Sequence, residues 1–149
     1  MRQITYCLQF RGQVAPGGAS PRTLKETTTA LSCRMVTLVG ADGLAGTLEP
    51  LDGEDALFES EVKPTGEASF EESGTITFGE SGHLLRFSTV GEGYIASSRD
   101  PEMKHGAAIW KVEGGEGQFE NASGLITSNF TVEEDGGVVD HQCGVILVN

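Results

Sequence analysis

The stretch from Trp110 to Phe130 limits what this chain can fold into more than any other. Trp110 and Val112 alternate with Lys111 and Glu113, the period-two pattern of a half-buried strand. Gly114, Gly115 and Gly117 then provide positions where the backbone can turn with positive φ. Phe119 and Ala122 pack the corner, Gly124 permits a bend, and Ile126, Ser128, Phe130 and Val132 alternate along a second strand. The glycines here mark a turn rather than a flexible linker. The stretch predicts two antiparallel strands joined by an ordered, apolar-stapled corner.

The remainder of the chain keeps the same rhythm. Ile4, Tyr6, Leu8 and Phe10 form one face of an opening strand, and Val14 to Arg22 reads as a loop. Thr23 to Ser32 is ambiguous between a helical turn and a strand. Leu31 to Val39, Leu44 to Leu48, Ala56 to Val62 and Phe70 to Phe78 follow as strands, the last with a bulge near Glu71–Gly74. Gly79–Gly82 is a hairpin turn, His83 to Val90 a strand, and Tyr94 to Ser97 its continuation after a bend. Ser98 to Gly106 reads as a polar loop, Glu133 to Gly137 as a turn and Val139 to Val148 as the closing strand. The 21 glycines, about twice the usual share, lie between short apolar runs, as many tight turns require. No window supports a long amphipathic helix, and no shift in composition divides residues 1–149. The expectation is one all-β domain, a closed antiparallel up-and-down β-barrel of about eight or nine strands, because closure removes exposed sheet edges.

The pattern Trp-x-Val-x-Gly-Gly-x-Gly-x-Phe-x-x-Ala-x-Gly, residues 110–124, resembles the late hairpin of the allene oxide cyclase and dirigent-like β-barrel superfamily. The likeness is close over these residues and extends elsewhere only to the strand rhythm. It implies a barrel with a central cavity and, for some relatives, cyclisation of a reactive, mostly apolar substrate without metal or organic cofactor. Such chemistry needs shape, desolvation and one or two polar groups more than a nucleophile. A non-catalytic, lipocalin-like carrier would look the same at this level. Relatives often form dimers or trimers, so a homo-oligomer is expected. Ile109 and Leu125, opposite in parity to Trp110 and Ile126, would lie on its outer contact face.

Charge and cysteine usage narrow the partners. With 10 basic and 22 acidic side chains the formal charge is −12, the wrong sign for a phosphate backbone or an anionic membrane. No apolar leader-like or membrane-spanning segment is seen. Cys7, Cys33 and Cys143 are odd in number and widely spaced, which suits buried thiols and a reducing, cytoplasmic setting.

Familiar catalytic motifs are missing. His83, His105 and His141 are far apart, with no His-x-His or His-x3-His pair for zinc. There is no Gly-x-Ser-x-Gly elbow, Walker A lysine or EF-hand loop. Strand parity instead nominates inward polar groups. Glu72 shares a face with Phe70, Ile76 and Phe78 unless a bulge reverses it. His83 lies with Leu85 and Phe87, and His141 with Cys143, Val145 and Leu147. The expected site therefore has Glu72, His83 and His141 as proton-handling groups, Tyr94 and Trp110 at the cavity mouth, and Phe78, Phe87 and Phe130 as apolar walls. Burial would raise the pKa of Glu72 and lower those of the histidines.

Overall fold

The apolar alternation along the chain is realised as eleven strands and one short 3₁₀ turn in a computed structural model that describes all residues, Met1–Asn149. The strands are β1 (Arg2–Pro16), β2 (Leu24–Ala30), β3 (Cys33–Gly40), β4 (Gly43–Pro50), β5 (Ala56–Pro64), β6 (Ser69–Phe78), β7 (His83–Thr89), β8 (Gly93–Ser97), β9 (Met103–Glu116), β10 (Ser123–Glu133) and β11 (Gly137–Val148). Eight of them close an antiparallel barrel in the order β10-β11-β1-β2-β5-β6-β7-β9, with β9 pairing back onto β10. β8 is the extra strand. It follows the bend at Gly91 and takes over from β7 at one end, pairing with β9 and, through Ser69↔Tyr94 and Phe70↔Gly93, with β6. The expected barrel is thus the observed one. β3 and β4 form a separate hairpin inserted between β2 and β5.

Several local expectations are corrected. Val14 to Pro16 continue β1 instead of opening a loop, and Met103 already belongs to β9. The ambiguous segment after Thr23 is strand, because Leu24, Glu26, Thr28 and Ala30 alternate inward against β1 and β5. β6 carries no bulge: its register to β5 runs unbroken from Pro64↔Phe70 to Ala56↔Phe78. Gly74 makes that possible, since a Cβ there would stand 2.1 Å from the Glu59 carbonyl oxygen. The bulge lies instead where β7 meets β9. Leu85 pairs with Gly115 and Phe87 with Val112, and Gly114 absorbs the extra residue at φ +77°.

The cysteine expectation is also corrected. Cys7 and Cys143 face each other across β1 and β11 with Cα atoms 4.2 Å apart and are joined as a disulfide; only Cys33 is free. Both bridged residues lie on the exposed outer wall. The cytoplasmic expectation rested on three buried thiols and loses that support.

Inward residues sort into two layers. Towards one end, Phe10, Phe58, Phe87 and Trp110 are fully buried and stack across the barrel, with ring centroids 4.4 Å apart for Phe87–Trp110 and 5.2 Å for Phe58–Phe87. Ile76, Leu85, Ile126 and Ile146 fill the space around them. This plug makes the lower barrel solid. Towards the other end the interior turns polar, and that is where a cavity opens.

Candidate functional site

Three acidic side chains point into the upper barrel. Glu26 comes from β2, Glu72 from β6 and Asp140 from β11, and they are 9%, 6% and 2% exposed. With Ser128 and the apolar residues Val14, Leu24, Val62, Phe70, Ile95, Phe130 and Val132 they line a cavity of about 100 Å³. The edges of Phe70 and Phe130 meet there at a centroid distance of 5.8 Å. No lining residue is basic.

The three carboxyls differ in their partners. Asp140 is held by Ser128, whose hydroxyl donates to Oδ1 at 2.7 Å, and by Gln142, whose amide donates to Oδ2 at 2.8 Å. Glu72 accepts the Ser60 hydroxyl at 2.6 Å, while its own backbone N–H donates to Thr89 Oγ1. Glu26 has no hydrogen-bonding influence on its carboxyl, only burial and the nearby charges of Glu72 and Asp140. Burial, reinforced by those two neighbours, pushes Glu26 up to about 9. Burial also pushes Glu72 up to about 8, against the lowering effect of the Ser60 hydrogen bond. Asp140 rises only to about 6, since burial is opposed by Gln142, Ser128 and the Asn129 backbone. Near neutral pH the site therefore holds two mainly protonated glutamic acids beside one mainly ionised aspartate. Below them Thr28 Oγ1, Gln142 Oε1 and Trp110 Nε1 are buried without a protein hydrogen-bond partner.

The expected site residues divide. Glu72 and Phe130 line the cavity, and Trp110 and Phe87 belong to the aromatic plug beneath it. Phe78 faces inward at the opposite end, against Tyr6 and Phe119. His83 is not a cavity residue: its Nδ1 accepts the Gln118 backbone N–H at 3.0 Å and ties the β9–β10 corner to the β6–β7 turn. His141 and Tyr94 point out of the barrel. They share an external groove of about 420 Å³ with His105, and His141 lies 3.0 Å from the Gln9 amide. The parity assigned to His141 was the wrong face of β11, where Val138, Asp140, Gln142, Ile146 and Val148 point inward. Both faces of this strand carry apolar residues, which removes the contrast that parity needs.

Glu26 and Asp140 were not among the expected residues. A signal for Glu26 existed once its segment is read as strand, because it shares a face with Leu24 and Ala30. Asp140 could have been found from its place between Val138 and Gln142 on the face that ends in Ile146 and Val148.

An open apolar groove of about 800 Å³ runs between the β3–β4 hairpin and the barrel, past Ile4, Tyr6, Met35, Leu51, Phe78 and Phe119. Its one buried titratable group is Tyr6, whose hydroxyl is pushed up by burial and by Asp140. No three His, Cys, Asp or Glu side chains are placed to hold a metal ion together. No helix is long and apolar enough to cross a membrane.

Comparison with known proteins finds no matching family model, no similar curated protein and no similar solved structure.

Proposed function

We propose that this barrel is a cofactor-independent cyclase or isomerase that moves a proton on a small, mostly apolar molecule held in the carboxyl-lined cavity. The observation that carries this reading is Glu26: a buried carboxyl, without a hydrogen-bonding partner, set among apolar walls beside a second raised carboxyl and an ionised one. Groups whose environments push their pKa values apart divide acid from base work. Glu26, mainly protonated near neutral pH, is the donor. Asp140, anchored as an anion by Ser128 and Gln142, stabilises positive charge that develops on the substrate. As the one mainly ionised carboxyl, Asp140 also accepts the proton released from the substrate's other end, so the substrate changes form with no net gain or loss. Positioned acid–base groups of this kind contribute roughly 10²–10⁴ in rate.

Size fits a small substrate or the reacting end of a longer one. A cavity of roughly 150 Å³ takes up benzene, and this one is about 100 Å³. A carrier without turnover is served by neutral apolar lining, whereas three carboxyls tax the binding of an apolar ligand. The resemblance of residues 110–124 to the allene oxide cyclase and dirigent-like barrels points the same way as the cavity chemistry.

The test is isotope uptake. The full chain is incubated in deuterium oxide with a panel of small alkenes, epoxides and enolisable ketones, and the products are read by NMR. We expect deuterium incorporation or a rearranged product with at least one class, and loss of about tenfold or more in Glu26→Gln. Equal rates in wild type and Glu26→Gln would remove the catalytic reading.

A further inference from the structure

The cavity has a one-sided charge inventory. Acidic side chains enter from three strands, and Lys, Arg and His are missing from its lining. Asp140 and Glu72 are hydrogen-bonded by neighbours, but Glu26, 9% exposed, is not. Glu26 lines the cavity as the one carboxyl of the three with no hydrogen-bonding neighbour, so a molecule entering from outside the chain is what can pair with it. Phe70 and Phe130 add aromatic surface, which attracts cations as well as apolar groups.

The surroundings point the same way. The loop after β8 and the β10–β11 turn stand at this end of the barrel, beside Val14, and gather Asp100, Glu102, Glu133, Glu134 and Asp135. Such a rim gives the approach a negative potential and raises the local concentration of cations. A metal ion is a poor match, because no three ligating side chains converge. The apolar walls call instead for an organic body.

We infer that the molecule bound in this cavity is a small organic ammonium ion, its charged nitrogen against Glu26 in the field of Glu72 and Asp140 and its hydrocarbon against Phe70, Phe130 and the aliphatic wall. The inference rests on the acid–base reading of the same cavity and narrows its substrate class from apolar molecules at large to amines. An ammonium ion takes the place of one of the two protons held by Glu26 and Glu72 and leaves the other for donation, so binding releases a proton and strengthens as pH rises. The titratable groups facing Glu26 are Glu72 from β6 and Asp140 from β11. Its neighbours on β1 and β5 are the uncharged Val14 and Ser60.

Calorimetry on the full chain, with n-butylammonium, 1-butanol and butyrate as probes, separates the possibilities. Butylammonium should bind about tenfold or more tightly than 1-butanol, with butyrate giving no saturable heat. Its affinity should climb between about pH 6 and about pH 9, and buffers of different protonation heat should report proton release. Glu26→Gln should weaken butylammonium by about fivefold or more and remove much of that release. Should this variant not fold, Glu72→Gln reads the same loss. Equal binding of 1-butanol, or unchanged butylammonium affinity in the folded variant, would overturn the inference. If butylammonium does not bind while deuterium still enters a neutral substrate, the ammonium inference falls alone. If neither occurs, the acid–base reading falls with it.

Discussion

At the scale of single residues, a carboxyl protonated in the folded chain and ionised in the unfolded one ties stability to pH. Glu26 and Glu72 are such groups, with folded values of about 9 and about 8 against an ordinary 4.5. Below about pH 4.5 they carry a proton in both states, and the fold bears no ionisation penalty from them. Between that pH and their folded values the native state binds more protons than the unfolded one, so stability falls as pH rises. Urea unfolding at about pH 5 and about pH 9 should show this fall, and Glu26→Gln should flatten it, gaining about 2 kcal/mol or more at the alkaline end. Below the cavity, Phe58→Ala should cost about 3–5 kcal/mol at either pH, since it leaves a void between Phe10, Phe87 and Trp110. Glu72 was legible in the sequence because three apolar residues share its face. Glu26 was hidden by three consecutive threonines that blur helix and strand, and Asp140 by a strand apolar on both faces. A carboxyl on a core face is visible only when that face can be told from its opposite.

At the scale of elements, β1 and β11 form the seam where the first and last strands meet, and the Cys7–Cys143 bridge crosses it. The bridge closes a loop of 136 residues in sequence, so its loss gives the unfolded chain considerable freedom. Cys143→Ser, or reduction, should lower unfolding free energy by about 2–4 kcal/mol in denaturant titration, with Cys33→Ser as the neutral comparison. The β9–β10 corner is fixed differently. Gly117 takes φ +62°, and a Cβ there would lie 2.5 Å from His83 Nδ1, so the turn and its histidine clasp share one space. The corner was readable from its glycines and Phe119. The pairing of two cysteines far apart in sequence was not, because it depends on how a barrel closes, which local alternation does not encode.

At the scale of the whole molecule, the closed barrel was legible because nearly every strand advertises its inward face with Phe, Ile, Leu or Val. Its outer wall is less ordinary. Ile109 and Leu125 point outward as expected, 48% and 54% exposed, with Val145 beside Leu125 and Tyr94 at the edge of the same wall. Light scattering on the full chain should give a mass above the 15.7 kDa of one copy, and Leu125→Glu should return it to that value. The inserted hairpin has a separate consequence. Ala30, the last residue of β2, and Ala56, the first of β5, are register partners, although the whole β3–β4 arm lies between them. The barrel itself needs no more than a tight reversal at that point. Everything from Leu31 to Asp55 is therefore a cassette, free to lengthen, shrink or be exchanged without disturbing the register of a single barrel strand, and a chain recut there with Asn-Gly in its place should still close.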